Sequence, residues 1–332
     1  MKPSYKKRVL SILMALALMI LAGCGSAPVK DGMDEEATDP VEITAEQEAD
    51  AAGSDHTSLY VVEGTTEESI AESFASDTPN ANAVLVQSLG VLTMSSADIN
   101  KTGDSSGDST GGQNAAVAVL SKGQLTLNQS NITTNALGAA GLVISGEGTQ
   151  MEANETSVYT SGKSSPAIIV REDASAMFST GTLSTEGADS PCIQMLGGRL
   201  TLSGTMLFSK SGETLSLLSG DNFLTLDQTK VPDMADFAEE ATLELRLSNK
   251  AAFTGALGDT LPARANVYLD ATSVLTLTGE TYLGIYVNAD TTHANIQSGG
   301  FNLYYDSNAP ENAYLNGQSF LLPGGGFLAP II

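Results

Sequence analysis

Residues 117–132 read VAVLSKGQLTLNQSNI, three short apolar pieces separated by polar residues and a glycine. In the second piece, Leu125 and Leu127 flank a threonine, so apolar and polar side chains alternate with the period of two that is typical of a β-strand. Similar pieces recur on both sides of this stretch at nearly constant spacing. An internal repeat of three short strands therefore decides the fold.

Three series of apolar positions define the repeat. The first series returns at spacings of 33, 25, 26 and 25 residues, in Val84-Leu85-Val86, Val117-Ala118-Val119, Leu142-Val143-Ile144, Ile168-Ile169-Val170 and Ile193-Gln194-Met195. The second series contains Leu92/Met94, Leu125/Leu127, Met151/Ala153, Ala176/Phe178, Leu200/Leu202, Leu224/Leu226 and Ala251/Phe253. The third contains Ile99, Ile132, Val158, Leu183, Leu207, Val231 and Leu257. Each series predicts one column of stacked interior side chains.

This periodicity favours a coil of stacked strands over other repeat architectures. Helical repeats need amphipathic runs of about 12 residues or more, which these short pieces do not supply. A sandwich reverses its strands through hairpins, so equivalent residues would not return at one fixed interval. We therefore predict an all-β fold, a right-handed single-stranded parallel β-helix with about eight turns over residues 83–283.

The segments that flank the predicted coil are expected to close its ends. Residues 57–82 are predicted to form an N-terminal strand and cap, and residues 284–332 an aromatic-rich C-terminal cap with a β-hairpin. The dipeptide Asn316-Gly317 is typical of a tight hairpin turn. A cap is needed because the open edge of a solenoid would otherwise pair with another chain.

Composition excludes several classes of function. The 332 residues include 39 Asp and Glu against 15 Lys and Arg, for a formal charge of −24, so a nucleic-acid partner is not expected because its phosphates would be repelled. Two cysteines cannot build a disulfide scaffold, and two histidines leave little for metal or general-base chemistry.

The N-terminus is typical of an exported bacterial lipoprotein. Basic residues precede an apolar run over 9–20, and Leu21-Ala-Gly-Cys24 resembles a lipobox, which predicts a signal peptide over 1–23 and acylation of Cys24. The alternative is an ordinary signal peptide with an incidental cysteine. The lipid would anchor the protein on the extracytoplasmic side of the bacterial cell membrane.

Residues 24–56 are rich in Asp and Glu and predict a disordered tether, or else a segment that binds cations or a basic partner.

Two features of the predicted coil are candidates for chemistry. The first interval is longer than the others because of an insert over residues 100–113, where Asp104 and Asp108 are candidate Ca²⁺ ligands; the alternative is a solvated loop. Cys192 occupies a column of small residues with Ala83, Ala116, Gly141 and Ala167. That column predicts a tight corner, and we interpret the thiol as structural because no histidine is in register with it.

Aromatic residues are concentrated at the C-terminal end, where half of the 18 in the chain lie from residue 268 onward. One interpretation is that large rings cover the last turn of the coil. The other is a platform on which sugars stack, because tyrosine faces beside Asn and Asp suit carbohydrate. The candidate binding residues are Tyr286, Tyr304, Tyr305 and Tyr314.

Four stretches carry a resemblance to a known group of proteins: the repeats over 82–257, the insert KTGDSSG at 101–107, LTLTGETYL at 275–283 and IQSGGFNLYYD at 296–306. They resemble exported clostridial β-helix proteins of the pectin-lyase-like superfamily, often described as carbohydrate-binding-domain-containing lipoproteins. The resemblance implies the β-helix fold. It supplies no catalytic motif that can be transferred to numbered positions here.

The sequence thus predicts a lipid-anchored, non-catalytic surface protein for adhesion or carbohydrate binding, with a polysaccharide or a cell-surface protein as partner. One alternative is a polysaccharide lyase or glycoside hydrolase of the β-helix type. Such enzymes use clustered acids on adjacent turns or a Ca²⁺ site with a basic residue, whereas the basic residues here are scattered along the repeats. The other alternative is a purely structural envelope protein.

Overall fold

A computed structural model describes residues 56–106, 109–258 and 260–331, which are almost entirely β-structure. Parallel strands stack as a β-solenoid of about 11 turns, which confirms the predicted fold class. Residues 1–55 lie outside this description, and with them the predicted signal peptide, the lipidated Cys24 and the acidic tether.

Each of the first four turns contributes one strand to each of three walls. In chain order these strands are β1 (Thr57–Glu63), β2 (Thr66–Ile70), β3 (Ser73–Ser76), β4 (Ala81–Gln87), β5 (Val91–Ser95), β6 (Asp98–Lys101), β7 (Val117–Leu120), β8 (Gln124–Asn128), β9 (Asn131–Thr134), β10 (Leu142–Ser145), β11 (Gln150–Asn154) and β12 (Ser157–Thr160). The coil therefore begins at β1, a full turn before the predicted start at residue 83, because β1 pairs in parallel with β4.

In the next three turns a single long strand bends through the first and second walls. These strands, each followed by its third-wall strand, are β13 (Ile168–Ser179), β14 (Thr182–Thr185), β15 (Ile193–Ser203), β16 (Met206–Ser209), β17 (Leu215–Asp227) and β18 (Lys230–Val231). The bend in β13 uses the left-handed residues Glu172 and Asp173, with φ of 53° and 61°.

The last turns are less regular. They comprise β19 (Met234–Phe237), β20 (Ala241–Ser248), β21 (Ala252–Gly255), β22 (Ala265–Leu269), β23 (Val274–Leu277), β24 (Thr281–Asn288), β25 (Ile296–Gln297), β26 (Leu303–Tyr305), β27 (Phe320–Leu321) and β28 (Phe327–Pro330). The first wall ends at β19, whereas the second wall continues through β20, β22, β24, β26 and β28.

The strand register confirms the predicted columns through the regular turns. Val84 aligns with Val117, Leu142, Ile168 and Ile193 in succession. All of these side chains are fully buried.

The sequence assignment was wrong where the turns shorten. Phe253 was assigned to the second column, but it aligns with Val231 in the third wall, and Leu245 instead follows Leu224 in the second. A fixed repeat interval carried past β18 misses this change of turn length.

The small-residue column marks a tight corner, as predicted. A Cβ added at Gly141 would lie only 2.3 Å from Cγ1 of Val158 on the third wall. Cys192, in the same column, is fully buried, and its Sγ lies 3.2 Å from the carbonyl oxygen of Phe208. Burial raises the pKa of the Cys192 thiol to about 11, so the reactive thiolate is disfavoured.

The insert after β6 packs on the first wall, which corrects the interpretation of this segment as a solvated loop. Asn82 donates from Nδ2 to the carbonyl oxygen of Gly112 at 2.8 Å, and Asn114 donates to that of Gly103 at 2.8 Å. Gly112 lies against Val143, since a Cβ at this glycine would be 2.7 Å from Cγ1 of the valine. The amide of Asn82 thus attaches the insert to β4, and the amide of Asn114 joins the two ends of the insert.

Lys101 is fully buried at the base of this insert. Its Nζ donates to the carbonyl oxygens of Gly103 and Thr78, at 2.7 and 2.9 Å. Burial lowers the pKa of the amine, although Asp104 and Asp77 oppose that shift. The lysine therefore holds the insert through carbonyl oxygens.

The two ends of the coil are closed differently. Phe74 and Tyr60 pack with their ring centroids 4.9 Å apart inside the first turn. At the C-terminal end a β-hairpin is present as predicted, formed by β27 and β28, but its turn lies over residues 322–326. Asn316-Gly317 instead ends the 3₁₀ helix Pro310–Leu315, with Asn316 in the left-handed conformation.

Candidate ligand-binding face

The outer side of the second wall changes character toward the C-terminus. Alternation along the strands turns one set of side chains inward and the next outward. The outward positions of β15, β17, β20, β22, β24 and β26 carry large aromatic and arginine side chains. We call these residues the aromatic face: Arg199, Phe223, Arg246, Tyr268, Tyr282 and Tyr304.

Two arginines of this face stack on rings in the following turn. The Arg199 guanidinium lies 3.8 Å from the ring centroid of Phe223, and that of Arg246 lies 4.2 Å from the centroid of Tyr268. Arg246 Nε also donates to Glu244 Oε1 at 2.9 Å. Stacking of this kind keeps a flexible side chain flat against the wall while its N–H groups stay at the surface.

The two tyrosines nearest the C-terminal end stack on each other. The rings of Tyr282 and Tyr304 have centroids 4.6 Å apart and an interplanar angle of 19°. Asn302 donates from Nδ2 to the Tyr304 hydroxyl at 3.1 Å. The next residue in this column is Ala329, whose methyl group covers far less of a ring than a third tyrosine would. Both side chains are half-buried, so part of each remains open to solvent.

A cleft of about 510 Å³ borders this face where the first wall ends. Its lining includes Asp236, Phe237, Arg264 and Glu280, so carboxylates, a guanidinium and a ring line one space. The Arg264 guanidinium lies 4.5 Å from the centroid of Phe237 and donates to backbone carbonyls of the same corner. Tyr282 connects the cleft to the aromatic face, because its neighbours Arg264 and Glu280 line the cleft.

Two of the four predicted binding tyrosines are inaccessible to a ligand. Tyr286 and Tyr305 are fully buried in the core, so neither ring can stack on a sugar. The Tyr286 hydroxyl accepts a hydrogen bond from Asn288 Nδ2 at 2.8 Å and lies 3.1 Å from His293 Nδ1. Burial raises the pKa of both tyrosines. Tyr304 and Tyr305 are adjacent in β26, and alternation along the strand turns Tyr304 outward and Tyr305 inward.

Tyr314 closes the edge of β24. Its hydroxyl donates to the carbonyl oxygen of Tyr286 at 3.0 Å and accepts from the N–H of Asn288 at 3.3 Å. Asn312 does the same one step earlier, donating to the carbonyl oxygen of Gly284 and accepting from the N–H of Tyr286, both at 2.8 Å. Two side chains thus replace the backbone of an absent neighbouring strand. The ring of Tyr314 is exposed, but its hydroxyl is already used.

The candidate calcium ligands do not form a cluster in the described part of the chain. Asp104 accepts a hydrogen bond at Oδ1 from the N–H of Leu137 at 2.8 Å, and Asp108 lies outside the described residues. Among the residues described, no group of three or more His, Cys, Asp or Glu side chains could hold a metal ion.

Sequence reasoning missed most of the aromatic face. Tyr304 was predicted, whereas Tyr268 and Tyr282 were noted only as part of the C-terminal concentration of aromatics, and Phe223 lay outside it. Alternation along each repeat would have placed them outward, but only the strand register shows which of them share a column.

Comparisons with known proteins return no match: no family model fits the chain, and neither a curated protein nor a solved structure resembles it. Among the described residues, no helix has the length and apolar character to span a bilayer.

Proposed function

We propose that the protein is a non-catalytic carbohydrate-binding protein of the cell surface, anchored through a lipid on Cys24. The aromatic face is its binding surface. The observation that carries the proposal is a set of three stacked pairs on successive turns of one wall: Arg199 with Phe223, Arg246 with Tyr268, and Tyr282 with Tyr304. Each pair lies in its own outward column.

Carbohydrate suits this arrangement for two reasons. Sugar rings present C–H groups that pack on aromatic carbon, and hydroxyl groups that need donors and acceptors close by. Beside the Tyr282–Tyr304 stack, the half-buried Arg264 and Glu280 side chains of the cleft supply a guanidinium and a carboxylate, while the amide of Asn302 is already hydrogen-bonded to Tyr304 and Phe327. Parallel turns repeat every ~4.8 Å, so an extended polymer can meet successive turns.

The early turns of the third wall offer a contrast. There, Asp98, Asn131, Ser157 and Thr182 align in one outward column of small polar side chains, which continues to Met206 in β16. Such a column lacks the large apolar area that a sugar ring packs on. Binding is therefore expected on the second wall.

A glycan array probed with the full chain tests the proposal. Tyr282→Ala and Tyr304→Ala are expected to lose binding to any glycan that the unchanged protein retains, because each removes a ring from the face. Tyr159→Ala is the matched control, since Tyr159 is an outward-facing tyrosine on the third wall. Its binding should be unchanged.

Two outcomes would overturn the proposal. A protein that binds no glycan across a broad array, and cross-links only to its own kind, would favour a structural envelope role. Shortened or unsaturated products from the bound polysaccharides would assign a hydrolase or a lyase instead.

A further inference from the structure

The C-terminal hairpin presents an apolar pair to solvent. Leu321 of β27 lies opposite Phe327 of β28, and the two side chains are 68% and 48% exposed. Residues directly opposite each other in an antiparallel pair project from the same face of the sheet. The hairpin therefore places both side chains side by side on one surface.

The same hairpin has an open strand edge. Leu322 donates its N–H to the carbonyl oxygen of Gly326 at 2.8 Å, so the backbone of this residue faces β28. Backbone groups alternate in direction along a strand, which turns the N–H and C=O of Leu321 toward the opposite side. Within the described residues, β27 pairs with no strand besides β28.

The hairpin segment itself carries no charged side chain. No Asp, Glu, Lys or Arg occurs from residue 312 to residue 332, in a chain whose formal charge is −24. The first turn differs, because Glu63, Glu67, Glu68 and Glu72 surround its strands without a lysine or arginine beside them. Like charges repel a second copy at the first turn but not at the hairpin.

We propose that the protein forms a two-fold dimer through its C-terminal hairpins. The two β27 edges would pair antiparallel, and Leu321 and Phe327 of each copy would pack on the same residues of the other. A two-fold arrangement fits because it places the hairpin of one copy, which has no charged side chain, on the same hairpin of the other. A head-to-tail contact would instead bury the carboxylates of the first turn against an apolar surface.

Sedimentation velocity over a range of protein concentrations tests the dimer, using the full chain with Cys24→Ser so that no acyl group is present. Leu321→Lys and Phe327→Lys are expected to weaken dimerisation at least about tenfold, because each buries an unpaired charge at the contact. Leu59→Lys is the matched control, an equally exposed leucine of the first turn. It should leave the dimer unchanged.

Three results would overturn the inference. One is an unchanged protein that stays monomeric at its highest soluble concentration. Another is a dimer that Leu59→Lys dissociates or that both hairpin variants retain. The third is a monomer that floats with phosphatidylcholine vesicles unless Leu321 or Phe327 is replaced by lysine, because the hairpin would then be a lipid contact. Circular dichroism of each variant checks that the β-structure is retained.

Discussion

The early and last turns of the coil share one hydrophobic core but differ in the side chains on their outer surfaces. From β1 to β12 three short strands form each turn, and Ser, Thr, Asn and Gln are common at their outward positions. From β15 onward outward positions of the second wall carry aromatic and arginine side chains, and from β19 onward the turns change length and the first wall ends. The interior is the same aliphatic core in both regions. Stacking thus constrains the inside of every turn, while the outside is free to carry a binding surface.

The largest expected effect is on the shared core. Ile168→Ala should reduce the free energy of unfolding by about 2–5 kcal/mol, because the side chain is fully buried and its neighbours in the column cannot collapse into the cavity. Urea denaturation measures this loss.

Leu283→Ala, at a fully buried position in the last turns, makes the comparison between the two regions. If both regions unfold as one unit, the two variants shift a single transition. A separate early transition in Leu283→Ala alone would show that the irregular turns unfold independently. Met177→Ala, at an exposed position, should have little effect.

A smaller effect is expected where side chains close the last turns. Tyr314→Phe should cost about 1–3 kcal/mol, because it leaves the N–H of Asn288 and the C=O of Tyr286 without their partner. Tyr304→Phe removes a hydroxyl at the surface and should cost much less. Equal losses in the two variants, measured by urea denaturation, would contradict the edge-closing role of Tyr314.

The smallest effect concerns pH and compares the two histidines. Burial lowers the pKa of His293 in the last turns and of His56 beside the first turn, each from an ordinary value of 6.5. Because the unfolded chain binds these protons more readily, both contribute stability above pH 6.5 that is lost as pH falls through and below that value.

Thermal unfolding of His293→Gln and His56→Gln separates the two contributions. Each variant should lose part of the decrease in Tm between neutral and mildly acidic pH. If His293→Gln keeps the whole decrease, the histidine packed 5.0 Å from the Phe320 ring is not the group that responds in the last turns.

Most of the coil could be predicted because apolar residues alternate within each strand and return at nearly constant spacing. The apolar columns through Val84, Leu142 and Ile193 follow from spacing alone, since stacked turns of equal length bring equivalent residues together. The same reasoning placed Phe253 in the wrong column, because a shorter turn moves this residue to the third wall. No residue nearby in the sequence indicates that the turn is shorter.

The candidate site was less predictable for a related reason. The aromatic enrichment near the C-terminus was visible, but it mixes residues with different roles. Tyr305 fills the core, Tyr314 closes a strand edge and Tyr304 faces outward. The position of each tyrosine depends on the strand register and on which strand lacks a neighbour.

The sequence by itself determined the all-β repeat, the interior columns and the excess of negative charge, because alternation, spacing and composition are local properties of the chain. Only the tertiary structure decided which residues share an outer column, how the insert after β6 packs and where the hairpin turns. The outer columns and the packing of the insert depend on contacts between residues about 20 or more positions apart, and the position of the hairpin depends on the pairing of β28 with β26. Local propensity does not encode such contacts. The aromatic face and the exposure of Leu321 and Phe327 on the hairpin both belong to this second group.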